Sequence, residues 1–116
     1  MFMICRKLQK SLAATLLGAF LLFSWTGNAH ARDPVAGKAR AAMCATCHGP
    51  LGLSQLPNAP HLAGQPARYL VEQLKNYRSG KRQNEMMQVM AKPLTDQEID
   101  NLAAWYESIQ ISVTMP

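Results

Sequence analysis

The string Met43-Cys44-Ala45-Thr46-Cys47-His48 limits what this chain can be more than any other feature. It reads C-x-x-C-H, and each chemistry open to two cysteines so spaced demands different surroundings. The pair could form a disulfide, serve redox exchange beside strands in a β-α-β pattern, or supply half of a tetrahedral zinc site. Zinc needs two further Cys or His ligands, and beyond this string the chain after residue 31 offers only His61, so closure fails. A thioredoxin-like pair needs strands, whereas the flanking sequence has helical periodicity. The adjacent histidine points elsewhere. Two intervening residues let one turn of helix present both sulfurs to the two vinyl groups along one haem edge, while the next imidazole reaches iron under the ring. Cys44 and Cys47 are therefore expected to attach one haem c covalently, with His48 as an iron ligand.

Two further features call for the same cofactor. Arg6, Lys7 and Lys10 precede an apolar run from Leu12 to Phe23, which is followed by Ala29-His30-Ala31; residues 1–31 read as a signal peptide cleaved after Ala31. The run is about a dozen residues, short of the ~20 that span a bilayer. An uncleaved anchor with Trp25 at the interface is the alternative. Cys5 lies ahead of the run, whereas a lipoprotein cysteine would follow it. Residues 32–116 are then one exported domain of roughly 85 residues, too small to be comfortably stable on its own apolar surface without a disulfide set, a metal or a cofactor at its centre. The expected location is the periplasm, with no membrane span in the mature chain.

The formal charge of +5 comes from 12 Lys+Arg against 7 Asp+Glu, but three of the bases and none of the acids lie in the leader. The remaining domain is nearly neutral, so composition gives no support for a nucleic-acid partner.

Along that domain, Asp33-Pro34 opens a short helix in which Val35, Ala39, Ala42 and Met43 recur at helical spacing and lead into the cysteines. Residues 49–66 are crowded with Gly, Pro, Asn and Ser, a long loop for so small a domain, and long ordered loops wrap around something. A second helix starts near Pro66, places Leu70, Val71, Leu74 and Tyr77 on one face, and stops at Gly80. Residues 81–92 show no clear apolar period and read as a loop with room for a helical turn. Thr95-Asp96-Gln97-Glu98 has the form of a capping box, followed by Ile99, Leu102, Ala103, Tyr106 and Ile109 on one face. The fold class is all-α, with about three to five helices.

Taken in order, Cys44 to Gly49, the string Pro60-His61-Leu62-Ala63-Gly64-Gln65, Tyr69-Leu70 with Gln73-Leu74 and Gly80, the Met86-Met87 pair, and Leu94 to Tyr106 resemble a single-haem class I c-type cytochrome. The P-x-L-A-G-Q string and the Met-Met pair look like one half of the two-haem cytochromes of that branch. The resemblance implies a small cytochrome c fold over residues 32–116, with the first and last helices crossing where a small residue meets an aromatic. Gly37 and Trp105 occupy those places, though a generic helix glycine and core Trp would read the same.

The resemblance also implies the second axial ligand. Counting back from Pro93 to the family's position gives Met87, with Met90 as the fallback and Met86 or His61 behind it. Met is a common gap filler, so the methionines that do not ligate pack at the haem edge or face solvent. By the same resemblance the Pro60 carbonyl accepts the ring proton of His48, although Pro60 also reads as a plain loop residue. His61 reads as an outward-facing surface histidine. Tyr69, Tyr77 and Arg82 fit the haem border and the solvent face equally well.

The function implied is electron carriage without catalysis: His/Met coordination leaves no open iron position, and single electrons pass between transient redox protein donors and acceptors, the carrier itself being a monomer. A haem subunit held permanently by a dehydrogenase or oxidase, and a ligand-binding haem sensor or small peroxidase, remain the alternatives.

Overall fold

A computed structural model of the chain describes residues 31–115, so the expected signal peptide lies, apart from Ala31, outside the described residues. Five α-helices are present among these residues and no strand: α1 (Pro34–Arg40), α2 (Ala45–His48), α3 (Ala67–Ser79), α4 (Glu85–Ala91) and α5 (Asp96–Ser108), with a 3₁₀ turn at Ala41–Met43 between α1 and α2. No described helix is long and apolar enough to cross a membrane.

Several helix ends are set by visible contacts. The Asp33 carboxylate accepts the Val35 and Ala36 amides at 2.8 and 3.2 Å, and Pro34 fills the first helical position, where its missing N–H costs nothing. Helix α3 stops at Gly80, which takes the left-handed conformation (φ 79°). It starts beside Pro66, as the sequence places it, but its cap has no local signature. Pro66 has no capping side chain, and the Ala67 amide instead donates to Glu107 Oε1 of α5 at 2.7 Å. Helix α5 has the full capping box: the Glu98 amide donates to Thr95 Oγ1 at 3.2 Å while the Thr95 amide donates to Glu98 Oε2 at 2.9 Å.

Residues 81–92 depart from expectation, because Glu85–Ala91 is a helix rather than a loop. Asn84 caps it by accepting the Met87 amide at 3.0 Å. The period was hidden because both faces carry apolar side chains: Ala91 is buried and Met87 and Met90 half-buried, while Met86 and Val89 point to solvent at 63% and 67% exposure.

Helix α1 packs on α5, and α3 packs on both α4 and α5. The α1–α5 crossing is close enough that a Cβ on Gly37 would lie 2.0 Å from the Asn101 carbonyl oxygen and 2.9 Å from Trp105 Cβ. Gly37 therefore meets the α5 backbone first and only the root of Trp105, a small revision of the Gly37–Trp105 pairing. The indole Nε1 is buried without a hydrogen-bond partner, and Lys38 Nζ lies 5.4 Å from the ring centroid, so Trp105 acts as apolar surface and as a seat for a cation.

The core is small. Ala41, Ala67, Leu70, Leu94, Ile99, Leu102, Ala103 and Tyr106 form it, yet Ile99 and Leu102 are the only large side chains among them that are fully buried. Met43, Leu62, Val71 and Leu74 pack against it while still partly exposed.

Candidate haem site

The attachment motif sits where the chain leaves the α1–α5 crossing. Cys44 ends the 3₁₀ turn and opens α2, Cys47 lies within that single turn, and the His48 amide donates back to the Cys44 carbonyl at 3.0 Å. Both thiols are half-buried and lie three residues apart on one helical turn, so they project to the same side. Burial pushes the Cys44 thiol up, opposed by a hydrogen bond with Tyr106 and by the charge of Arg40. Burial also pushes the Tyr106 hydroxyl up, with Cys44 adding to it, so both groups are neutral at pH 7 and meet as a neutral pair.

His48 is buried, at 7% exposure. Its Nδ1 lies 2.8 Å from the Pro60 carbonyl oxygen, which can only accept, so Nδ1 carries the ring proton and Nε2 keeps a lone pair for a metal. The expected Pro60 partner is thus in place.

Residues 49–66 curl back on the motif through hydrogen bonds that the sequence reading did not contain. Ser54 Oγ donates to the Cys47 carbonyl at 2.7 Å and accepts the Leu56 amide at 3.0 Å, while the Gly52 carbonyl accepts the Leu62 and Ala63 amides at 2.7 and 3.1 Å. Gly52 holds φ 75°, and a Cβ there would lie 2.9 Å from the Tyr106 ring. Tyr106 therefore does three things at once: it fills the core, meets Cys44 and seats the loop, whose Gly64 amide donates to the Tyr106 carbonyl at 2.8 Å. The helical period marked Tyr106 as core; nothing in that period marked its hydroxyl.

His61 is exposed, as expected, but its ring is engaged: Nδ1 accepts the Ser54 amide at 2.9 Å. Met87 and Met90, one turn apart on α4, are both half-buried. Of the aromatic residues expected near the haem or the solvent, Tyr69 is 45% exposed, and Arg82 stacks on Tyr77 at 4.7 Å from the ring centroid while donating to Gln73 at 2.7 Å.

These residues fit a covalently held haem. Two thiols share one side of one turn, a buried imidazole keeps Nε2 free, and a core with two large fully buried side chains is rimmed by half-buried apolar groups that a macrocycle would complete.

The Cytochrome c family model matches residues 34–110. The chain belongs to the cytochrome c family. Cytochrome c4 of Pseudomonas aeruginosa is 43% identical over 101 residues, an alignment covering 86% of this chain and 50% of that protein. The crystal structure of reduced recombinant cytochrome c4 from Pseudomonas stutzeri superposes with a TM-score of 0.67 at 39% identity, over 72% of this chain and 48% of the other. Cytochrome c-554(548) of Halomonas halodenitrificans is 40% identical over 81 residues, 67% of this chain and 98% of that one. The chain spans about half the length of the cytochrome c4 relatives and matches one half of a two-haem cytochrome. Its helical architecture is the cytochrome c fold, its cofactor is covalently bound haem c, with Cys44 and Cys47 in the C-x-x-C-H segment, and its relatives are electron-transfer proteins.

Proposed function

We propose that this cytochrome is a periplasmic one-electron shuttle in which Cys44 and Cys47 attach a single haem and His48 and Met87 are the axial ligands. The observation that carries the reading is the His48–Pro60 contact at 2.8 Å, because it leaves a buried imidazole with its Nε2 lone pair uncommitted. Bound haem supplies reversible exchange of one electron between the two iron oxidation states.

The chain's own residues do the rest. Pro60 fixes the tautomer and ring plane of His48 and makes the imidazole a better donor. Met87 offers a soft thioether, which favours the reduced metal and raises the potential relative to a second imidazole. Met90 presents the same atom one turn later and is the fallback. His61 is poorly suited to the task, since its Nδ1 lone pair is used on Ser54 and its Nε2 then carries the proton. With His48 and Met87 both committed to holding the iron, no place would be left for substrate, which supports carriage over catalysis. The partners are redox proteins met transiently through small interfaces, the chain working as a monomer.

Absorption spectra test the ligand assignment. The oxidised protein should show the weak charge-transfer band of His/Met haem, at about 695 nm. Met87→Ala should abolish the band and Met90→Ala should leave it; the reverse pattern moves the ligand to Met90. Attachment is checked by the mass of the purified chain, expected to exceed the polypeptide by ~616 Da for one haem.

A further inference from the structure

The two histidines of the described chain are in opposite tautomers, and they are linked. His48 presents Nδ1–H to the Pro60 carbonyl. His61, the next residue after Pro60, must present a bare Nδ1, because the Ser54 group it meets at 2.9 Å is a backbone N–H that can only donate. Ser54 is buried, at 7% exposure, and its Oγ holds the carbonyl of Cys47, the residue before His48. The contacts therefore close a ring: His48 to Pro60 by hydrogen bond, Pro60 to His61 by peptide bond, His61 to Ser54 and Ser54 to Cys47 by hydrogen bonds, and Cys47 back to His48 along the chain. Residues 49–66 contain no other ionisable side chain, and the Ser54 amide has its acceptor in His61.

We propose that His61 is a positioning residue for His48: by accepting the Ser54 amide it holds the Pro60 carbonyl against His48 Nδ1 and so sets how strongly His48 donates to iron. The inference rests on His48 being an axial ligand and goes beyond it in giving a residue outside the coordination sphere control over the potential. Loss of the acceptor leaves a buried amide unsatisfied, and residues 54–61 relax to find another partner. The Pro60 carbonyl moves with them, the Nδ1–H bond weakens, and a less basic imidazole stabilises the oxidised iron less, so the potential rises.

Three substitutions separate the acceptor atom from the ring that carries it. His61→Asn places an amide oxygen the same number of bonds from Cβ as Nδ1, His61→Gln places it one bond farther, and His61→Ala removes it. The midpoint potential of the haem-loaded protein should match the parent in His61→Asn, rise in His61→Ala, and rise by less in His61→Gln. Hydrogen exchange at the Ser54 amide should quicken in the same order. If His61→Ala does not accumulate with haem, His61→Gln decides. Equal potentials in all the proteins overturn the proposal. So does a shift in His61→Asn as large as in His61→Ala, which would trace the effect to the lost ring. A parent protein without covalent haem overturns the underlying reading of His48 instead, and its mass shows this before any potential is measured.

Discussion

The α1–α5 crossing and the loop of residues 49–66 grip the same segment, Cys44 to His48, by different means. At the crossing the grip is packing: Gly37 lies on the α5 backbone at Asn101, and Ile99, Leu102 and Ala103 are buried along the same helix. The ion pairs there, Arg32–Asp100 at 3.4 Å and Arg40–Glu98 at 3.0 Å, lie on the solvent side and add little. In the loop the grip is directional. Ser54 holds Cys47, Pro60 holds His48, and Gly52 gathers Leu62 and Ala63, while Leu51, Leu53 and Leu56 remain exposed. Packing sets where the segment sits, and hydrogen bonds set how its imidazole is turned and how basic it is. The two regions should therefore fail differently when disturbed.

The largest effect comes from removing what both regions wrap. In Cys44→Ala/Cys47→Ala the haem is no longer tethered, and a core with Ile99 and Leu102 as its large fully buried side chains is left to hold a domain of roughly 85 residues, below what such a size supports unaided. No cooperative thermal transition is expected by circular dichroism. A cooperative transition near the parent temperature would show that the helical crossing stands alone, and the division of labour would lose its basis.

Next in size are two glycines, one in each region. Gly37→Ala drives a methyl into the Asn101 carbonyl, and α1 must shift; about 3 kcal/mol of stability should be lost in urea titration. The potential should stay at the parent value, because the His48–Pro60 contact is not involved. Gly52→Ala places a Cβ at φ 75° against the Ala63 amide and the Tyr106 ring, and it should lower stability and shift the potential together. A potential shift in Gly37→Ala alone would break the comparison.

The same division explains what could be read from the chain before its structure. Asp33-Pro34, Gly80 and the Thr95–Glu98 box set helix ends by contacts within four residues, and the Ile99–Tyr106 face follows from a 3.6-residue period, so all were legible. The attachment string was legible because its chemistry is packed into five residues. Helix α4 was missed because Met86 and Val89 on its outer face blur the period. The Glu107 cap on Ala67, 40 residues away, and the Ser54–His61 bond have no local signature, since each joins a side chain to a backbone group that only the folded loop brings near. Pro60 was reached through family resemblance; turn composition alone gave only a loop.

The smallest effect tests whether the crossing's surface charges matter at all. Glu98 is held below the ordinary carboxylate range, first by the Thr95 backbone amide, which outweighs the opposing effect of burial, and then by smaller contributions from the Thr95 hydroxyl and the charge of Arg40. A folded value below the unfolded one means that the native state binds the proton less readily. The stabilisation is therefore complete above the ordinary value of 4.5 and is lost as pH falls through the lowered folded value. Glu98→Gln retains an oxygen for Thr95 but has no charge to lose. At pH 7 it should be less stable than the parent by well under about 1 kcal/mol, given the exposure of the pair. The gap should close as acid protonates Glu98 in the parent, leaving the variant with a shallower acid limb. A gap that persists at low pH would assign the contribution of Glu98 to the shape of its capping contact, and the crossing would then owe its strength to packing and directional bonds alone.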